Sequence, residues 1–151
     1  MEPVIPEVER ARRISIDTSP FIYFIEVHPR FAPLVRPILQ AVTLGAKQAV
    51  SSVVTLAEVL VKPLEKRRLD LAQQYRDALL GQRHLSLVSV GEEVAEESAR
   101  IRARYGFRGP DAIQLATATL ENAEVFVTND ARLRGFTEVQ VIVLEDYVGR
   151  A

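Results

Sequence analysis

The stretch that decides the fold is residues 14–25, ISIDTSPFIYFI. Its first three residues predict a short buried strand. Asp17 and Thr18 are polar residues that can cap a helix, and Pro20 is favoured in a helix's first turn. The apolar run Phe21–Val27 then predicts a helix that ends before the next proline. A buried strand that leads directly into a helix is typical of a parallel α/β sheet.

The same alternation of strand and helix continues along the chain. The predicted strands are Ile14–Ile16, Gln48–Val53, Leu85–Val88, Glu124–Val127 and Val139–Val143. Further helices are predicted at Phe31–Leu44, Thr55–Lys62, Leu64–Leu80, Glu92–Tyr105 and Pro110–Asn122. Short apolar strands separated by helices predict a mainly parallel, five-stranded sheet that is covered on both faces, a three-layer α/β/α domain over residues 14–151. Residues 1–13 are expected to form an N-terminal arm, loose over residues 1–11, which lack periodicity.

Composition excludes several classes of protein. The chain has 151 residues, the size of one domain, and no cysteine, so disulfides and thiolate metal sites are excluded. Two histidines argue against a zinc site, and any metal is expected to be a hard cation bound by oxygen. A net charge of −1 argues against a protein that coats duplex DNA. No run approaches the roughly 20 apolar residues of a membrane span, and the acidic start is a poor secretory signal; we expect a cytoplasmic protein.

Four acidic residues stand apart from the others by their position. Asp17 and Asp130 follow predicted strands, whereas Glu58 and Asp111 lie in the first turns of predicted helices. Ligands of open α/β sheets bind at the carboxyl ends of the strands. We therefore expect these four carboxylates to lie on one edge of the sheet.

Each of these acids also has a structural interpretation. Asp17 could cap the following helix, and Asp111 could complement a helix dipole. Glu58 could form a capping box with Thr55, and Asp130 could form an Asx-turn. Together, however, four like charges on one edge repel one another unless a cation neutralises them. Mg²⁺ or Mn²⁺ prefers such oxygen ligands, and such a site suits hydrolysis of a phosphodiester.

Four segments carry a resemblance to a known family: 16–23 (IDTSPFIY), 54–60 (VTLAEVL), 110–116 (PDAIQLA) and 126–130 (FVTND). Their order and spacing resemble those of PIN-domain proteins, over about residues 14–148. The size and organisation are similar to the VapC-type toxins of toxin–antitoxin pairs.

This resemblance implies a Mg²⁺- or Mn²⁺-dependent endoribonuclease that cuts single-stranded RNA. Asp17, Glu58 and Asp111 match the three best-defined acids of the family. Asp130 matches a fourth, less uniform position, whose role Asn129 could share. Hydroxyl positions that orient the acids or water are matched by Thr18 and Thr128. The resemblance further implies a homodimer and an antitoxin partner.

Two groups of basic residues have either a functional or an ordinary surface interpretation. Arg104, Arg108, Arg132 and Arg134 flank the third and fourth acids and are candidates for phosphate contact. Lys62, Lys66, Arg67 and Arg68 surround a predicted helix break, in a region that the family uses for dimerisation and antitoxin binding. Both groups could equally be solvated surface.

Two other functions fit the same sequence. One is a non-catalytic PIN-like module that binds RNA or a protein. The other is a nuclease that processes RNA, or cuts DNA, without an antitoxin.

Overall fold

A five-stranded sheet forms the centre of the molecule, which the computed structural model describes over residues 3–149. All of its strand pairs are parallel. The strands are β1 (Arg13–Ile16), β2 (Gln48–Ser52), β3 (Leu85–Val88), β4 (Val125–Thr128) and β5 (Gln140–Val143), in the order β3-β2-β1-β4-β5. The chain reverses its direction of winding at β1, and ligands of open α/β sheets bind at such a switch point. The predicted parallel sheet is confirmed.

Within residues 3–149, seven α-helices connect or precede these strands. They are α1 (Pro6–Arg10), α2 (Thr18–Ile25), α3 (Ala32–Thr43), α4 (Val53–Glu65), α5 (Leu69–Leu80), α6 (Glu92–Tyr105) and α7 (Gly109–Leu120). Short 3₁₀ turns follow β4 and β5, at Ala131–Gly135 and Leu144–Tyr147. None of these described helices is long and apolar enough to span a membrane.

Two apolar cores lie on opposite faces of the sheet. Val125 and Val127 of β4 point into one core, together with residues of α2, α3 and α5 such as Phe21, Val35 and Tyr75. Phe126, between those two valines, points into the other core, with residues of α6 and α7. Side chains alternate across a strand, so β4 is buried on both faces. The three-layer α/β/α architecture is confirmed.

The N-terminal segment differs from the loose arm that was predicted. It contains α1, which begins at Pro6, and Ile5 and Val8 are buried against the first core. The buried ammonium of Lys47 donates to the carbonyl oxygens of Glu9 and Ala11, at 2.9 and 2.6 Å. Because Lys47 is far from Glu9 and Ala11 in the chain, these contacts leave no periodic pattern in the N-terminal segment that could have predicted them. Met1 and Glu2 lie outside the described residues.

The helix break expected at Pro63 is also displaced. Pro63 is buried inside α4, which continues to Glu65, and α5 begins only at Leu69. The chain turns at Arg67, which has φ +55°. Proline removes one backbone hydrogen bond from a helix, which packing of its ring can offset. The predicted helix Leu64–Leu80 therefore begins five residues too early.

Candidate active site

An open cavity of about 380 Å³ lies at the carboxyl ends of β1 and β4. Its walls come from the segments after these two strands and from α2, α4 and α7. All four predicted acids line it: Asp17, Glu58, Asp111 and Asp130. The structure thus brings together residues that are separated by more than a hundred positions in the sequence.

Asp17 is the most enclosed of the four acids. Its backbone N–H donates to the carbonyl of Val127 at 2.9 Å, which extends the pairing of β1 with β4. One carboxylate oxygen accepts from the backbone N–H of Thr18 at 2.8 Å and so caps α2. The other accepts from the Thr128 hydroxyl at 2.7 Å. Asp17 is therefore a helix cap and a cavity residue at once.

The environment of Asp17 favours its protonated form. Burial raises the pKa of Asp17 from 3.8 to about 6. The hydrogen bonds from Thr128 and Thr18 oppose this rise in pKa, while the nearby charges of Asp111 and Glu58 add to it. A cation beside Asp17 would relieve both the burial and the repulsion.

Asp130 forms the Asx-turn that the sequence allowed. Its carboxylate accepts from the backbone N–H of Arg132 at 3.0 Å and begins a 3₁₀ turn. The Arg132 guanidinium also bonds this carboxylate, and that pairing holds the pKa of Asp130 below its usual value. The Asp130 backbone N–H donates to the Thr128 hydroxyl at 3.0 Å, so Thr128 links Asp17 with Asp130.

Glu58 does not form the capping box considered for it. The N-cap of α4 is Ser52, whose hydroxyl accepts from the backbone N–H of Val54 at 3.1 Å. This start places Glu58 in the second turn, where its carboxylate accepts from the Thr18 hydroxyl at 2.8 Å. Glu58 is thus an exposed acid that is held against the cavity by one hydroxyl.

Asp111 lies in the first turn of α7, where a negative charge complements the helix dipole. Its carboxylate is 3.4 Å from the guanidinium of Arg108 and 3.7 Å from that of Arg132. Among the described residues, no backbone N–H of α7 donates a hydrogen bond to the Asp111 carboxylate. The carboxylate is therefore held by arginines rather than by its own helix.

The four arginines proposed for phosphate contact separate into two pairs. Arg132 lines the cavity and Arg108 bonds an acid that does. Arg104 instead pairs with Glu138 at 3.4 Å and lies over the ring of Tyr105. Arg134 pairs with Asp146. Two of the four are thus at the cavity, and two have partners elsewhere.

Both ends of the Asn129 side-chain amide form hydrogen bonds. Its nitrogen donates to the Tyr23 hydroxyl at 3.0 Å, and its oxygen accepts from the backbone N–H of Glu145 at 2.9 Å. Of the two candidates for the fourth position, Asp130 is the one that offers a carboxylate to the cavity, and its side-chain partner is the exposed guanidinium of Arg132.

A family model for the PIN domain matches residues 14–139, which is most of the chain and a span that includes the four acids. The chain belongs to the PIN domain family. None of the curated proteins compared matches it.

Several solved structures resemble this one over most of both chains. A toxin–antitoxin complex from Klebsiella pneumoniae is 26% identical with a TM-score of 0.65, over 86% of this chain and 96% of that one. VapBC-5 from Mycobacterium tuberculosis, of the VapBC family of toxin–antitoxin systems, is 25% identical with a TM-score of 0.56, over 87% and 98%. VapBC2 from Rickettsia felis, bound to a promoter DNA fragment, is 17% identical with a TM-score of 0.69, over 87% and 98%, a likeness of fold alone.

A buried polar layer beneath the acids of this PIN domain was not anticipated from the sequence. It consists of Ser51, Thr55 and Gln114, none of which is more than 2% exposed. Gln114 lies one turn after Asp111 on the same face of α7 and lines the cavity. The spacing of three residues between Asp111 and Gln114 was the sequence feature that could have placed Gln114 beside the acids.

The donor set fits a hard divalent cation, because four carboxylates face only two guanidinium groups. As they stand, no three acidic, histidine or cysteine side chains within residues 3–149 are close enough to ligate one ion. Arg132 bonds both Asp111 and Asp130, and Thr18 bonds Glu58. Ion binding in this PIN domain would therefore require Asp111 and Asp130 to turn away from Arg132, whereas Glu58 can keep Thr18 on one carboxylate oxygen and offer the other to the ion.

Proposed function

We propose that this PIN domain is the toxin of a toxin–antitoxin pair, a Mg²⁺- or Mn²⁺-dependent endoribonuclease. The observation that carries the proposal is the convergence of Asp17, Glu58, Asp111 and Asp130 on one cavity with too few positive charges to neutralise them. The toxin–antitoxin complexes that the chain resembles at 25–26% identity support the biological setting. The choice of RNA as the substrate follows from the family resemblance.

The four acids would hold the metal ion. A bound divalent cation polarises the phosphodiester and lowers the pKa of water at the site. Thr128 and Thr18 hold Asp17 and Glu58 in place through hydrogen bonds to their carboxylates. Arg108 and Arg132, once released from the acids, would be available to bind the phosphate groups of the substrate.

We also propose a homodimer, with an antitoxin as a further partner. The surface from α4 to α5 supports a partner, because it exposes the apolar side chains of Val61, Leu64 and Leu69 among the basic residues Lys62, Lys66, Arg67 and Arg68. Exposed apolar residues rimmed by polar ones mark protein interfaces. Light scattering is expected to give twice the chain mass; a monomer at micromolar concentration would contradict the dimer. For the proposed enzyme as a whole, an RNA substrate implies action in the cytoplasm.

Cleavage of a labelled single-stranded RNA in Mg²⁺ tests the enzymatic proposal. Asp111→Asn is the sharpest variant, because Asp111 caps no helix through its side chain and its loss should leave the fold intact. We expect the rate to fall by about 100-fold or more, since a catalytic metal contributes several kcal/mol to transition-state stabilisation. Chelation of the metal should abolish cleavage equally.

The matched control is Asp146→Asn, which removes an exposed acid that pairs with Arg134 outside the cavity. It should cut at a rate within twofold of the wild type. Single-stranded DNA of the same sequence tests whether the substrate is RNA. Cleavage by Asp111→Asn at the wild-type rate would overturn the site.

A further inference from the structure

Gln114 is a buried amide that faces two threonines beneath the acids. It is 2% exposed, and its nitrogen lies 2.8 Å from the hydroxyl of Thr55 and 3.5 Å from that of Thr18. Thr18 in turn donates to Glu58. Gln114 therefore stands two hydrogen bonds from an exposed carboxylate of the cavity.

The direction of every hydrogen bond in this layer is fixed by its ends. Ser51 must donate to the carbonyl of Ile16, 2.7 Å away, because a carbonyl only accepts. Thr55 must then donate to Ser51, 2.8 Å away. At the other end, Thr18 donates to the carboxylate of Glu58 at 2.8 Å. The single hydroxyl hydrogen of each threonine is therefore already used.

Two threonine oxygens with no free hydrogen face each other at 3.2 Å. Only a donor placed across both oxygens stabilises this arrangement, and the NH₂ end of Gln114 is that donor. Without it, the Thr55 oxygen is an open acceptor within reach of Thr18. Thr55 would then compete with Glu58 for the Thr18 hydrogen, so that Glu58 is held less firmly in one orientation.

The oxygen end of the Gln114 amide has no comparable role in this layer. The buried Gln114 oxygen has no hydrogen-bond partner within residues 3–149. An unpaired buried acceptor destabilises the fold, so an apolar side chain of the same size would serve the core at least as well. The need for a hydrogen-bond donor therefore explains why residue 114 has an amide side chain, whereas packing of the core does not explain it.

We propose that Gln114 is a positioning residue, which holds the Thr18 hydroxyl on Glu58 and thereby orients Glu58 toward the cavity. The inference rests on the proposed function, in which Glu58 is a metal ligand. Outer partners of metal ligands orient the ligands, and their loss typically weakens metal affinity about 10- to 100-fold.

Gln114→Met tests the proposal, because it keeps the volume and removes the donor. In the metal-free protein, NMR coupling constants of Glu58 should report one χ1 rotamer in the wild type and several in the variant. Calorimetry should give Mn²⁺ binding weaker by about tenfold. The midpoint of denaturant unfolding should be unchanged or higher, since the unpaired oxygen is gone. Gln114→Leu replaces this variant if it does not fold.

Thr117→Val is the control, since Thr117 is buried in the same helix but donates only to the carbonyl of Ile113. It should leave the Glu58 rotamer and the Mn²⁺ affinity at wild-type values. Adding Thr55→Val to Gln114→Met removes the competing acceptor and should restore the single Glu58 rotamer, which a general packing defect would not allow.

The proposal is overturned if Gln114→Met leaves the Glu58 rotamer as in the wild type, or if Thr55→Val gives no rescue. A wild-type protein that takes up no Mn²⁺ would instead refute the proposed metal site. The rotamer measurement needs no metal, so it decides the role of Gln114 in that case too.

Discussion

Charged side chains are paired differently at the two ends of the sheet. At the amino end of the strands, charged groups have partners within the fold. Arg13 pairs with Glu121 at 3.1 Å, Glu124 accepts from two backbone N–H groups at 2.9 and 3.1 Å, and Lys47 donates to two carbonyls. At the carboxyl end, four acids converge on one cavity and are countered by two arginines.

This difference separates charges that stabilise the fold from charges that lower its stability. Removal of a paired charge at the amino end leaves its partners unsatisfied, which destabilises the protein. Removal of the charge of Asp17 at the carboxyl end, the acid whose pKa is raised, relieves the fold but takes away a metal ligand. Opposite effects on folding are therefore expected at the two ends.

The largest effect on stability is expected from Lys47→Met at the amino end. The methionine keeps most of the buried stem, but the carbonyls of Glu9 and Ala11 lose their donor. We expect urea unfolding to show a loss of about 1–3 kcal/mol, the cost of leaving buried acceptors unpaired. Mn²⁺ affinity should stay within twofold of the wild type.

Arg83→Met is the control for this variant, because Arg83 is an exposed basic residue outside the surface from α4 to α5. It should change the free energy of unfolding by less than about 0.5 kcal/mol, as surface substitutions usually do. Equal stability of the two variants would show that the ammonium of Lys47 does not secure the N-terminal segment.

A smaller effect, of opposite sign, is expected from Asp17→Asn in metal-free buffer. The folded pKa of Asp17, about 6, lies above its unfolded value, so the folded state binds the proton more tightly. The wild type should gain stability as pH falls from about 6 to about 4, and at neutral pH the charged carboxylate lowers stability. Asp17→Asn should therefore be more stable at pH 7 by about 1–2 kcal/mol and lack this gain.

Glu124→Gln provides the contrast in pH dependence. Backbone N–H groups of Arg12 and Arg13 hold the pKa of Glu124 below its usual value, so its contribution is present at neutral pH and lost on acidification. Urea unfolding at pH 7, at pH 5 and at about pH 3.5 measures both variants, because the contribution of Glu124 is lost only below its ordinary pKa. If Asp17→Asn and Glu124→Gln change stability in the same direction at pH 7, the two ends do not differ as described.

The smallest effect is expected from Arg132→Gln. The guanidinium pairs with Asp111 and Asp130 and competes with a metal ion for both. Ion pairs of exposed residues contribute about 0.2–1 kcal/mol each, so Mn²⁺ affinity should rise about two- to tenfold in calorimetry. Arg104→Gln, which affects only the surface pair with Glu138, should leave it unchanged. Weaker Mn²⁺ binding by Arg132→Gln would contradict the competition.

The sequence predicted the features that are encoded locally. Apolar runs such as Phe126 and Val127 mark strands, and polar residues directly after them, such as Asp17 and Asp130, mark the edge of the sheet. The sheet and the convergence of the acids could therefore be anticipated.

Features that depend on distant partners could not be predicted. Lys47 reads as a surface lysine until Glu9 and Ala11 are placed beside it. Glu58 reads as half of a capping box, because nothing local shows that Ser52 caps the helix one turn earlier. Gln114 needs Thr18 and Thr55, which lie 96 and 59 positions away.

Paramagnetic broadening by Mn²⁺ tests the difference between the two ends most directly. Amide signals are recorded by NMR at substoichiometric Mn²⁺, with Mg²⁺ as the diamagnetic reference. Signals of Asp17, Asp111 and Asp130 should broaden first, whereas those of Lys47 and Glu124 at the far end of the strands should persist. Equal broadening at both ends, or none at millimolar Mn²⁺, would contradict a metal site at the carboxyl end.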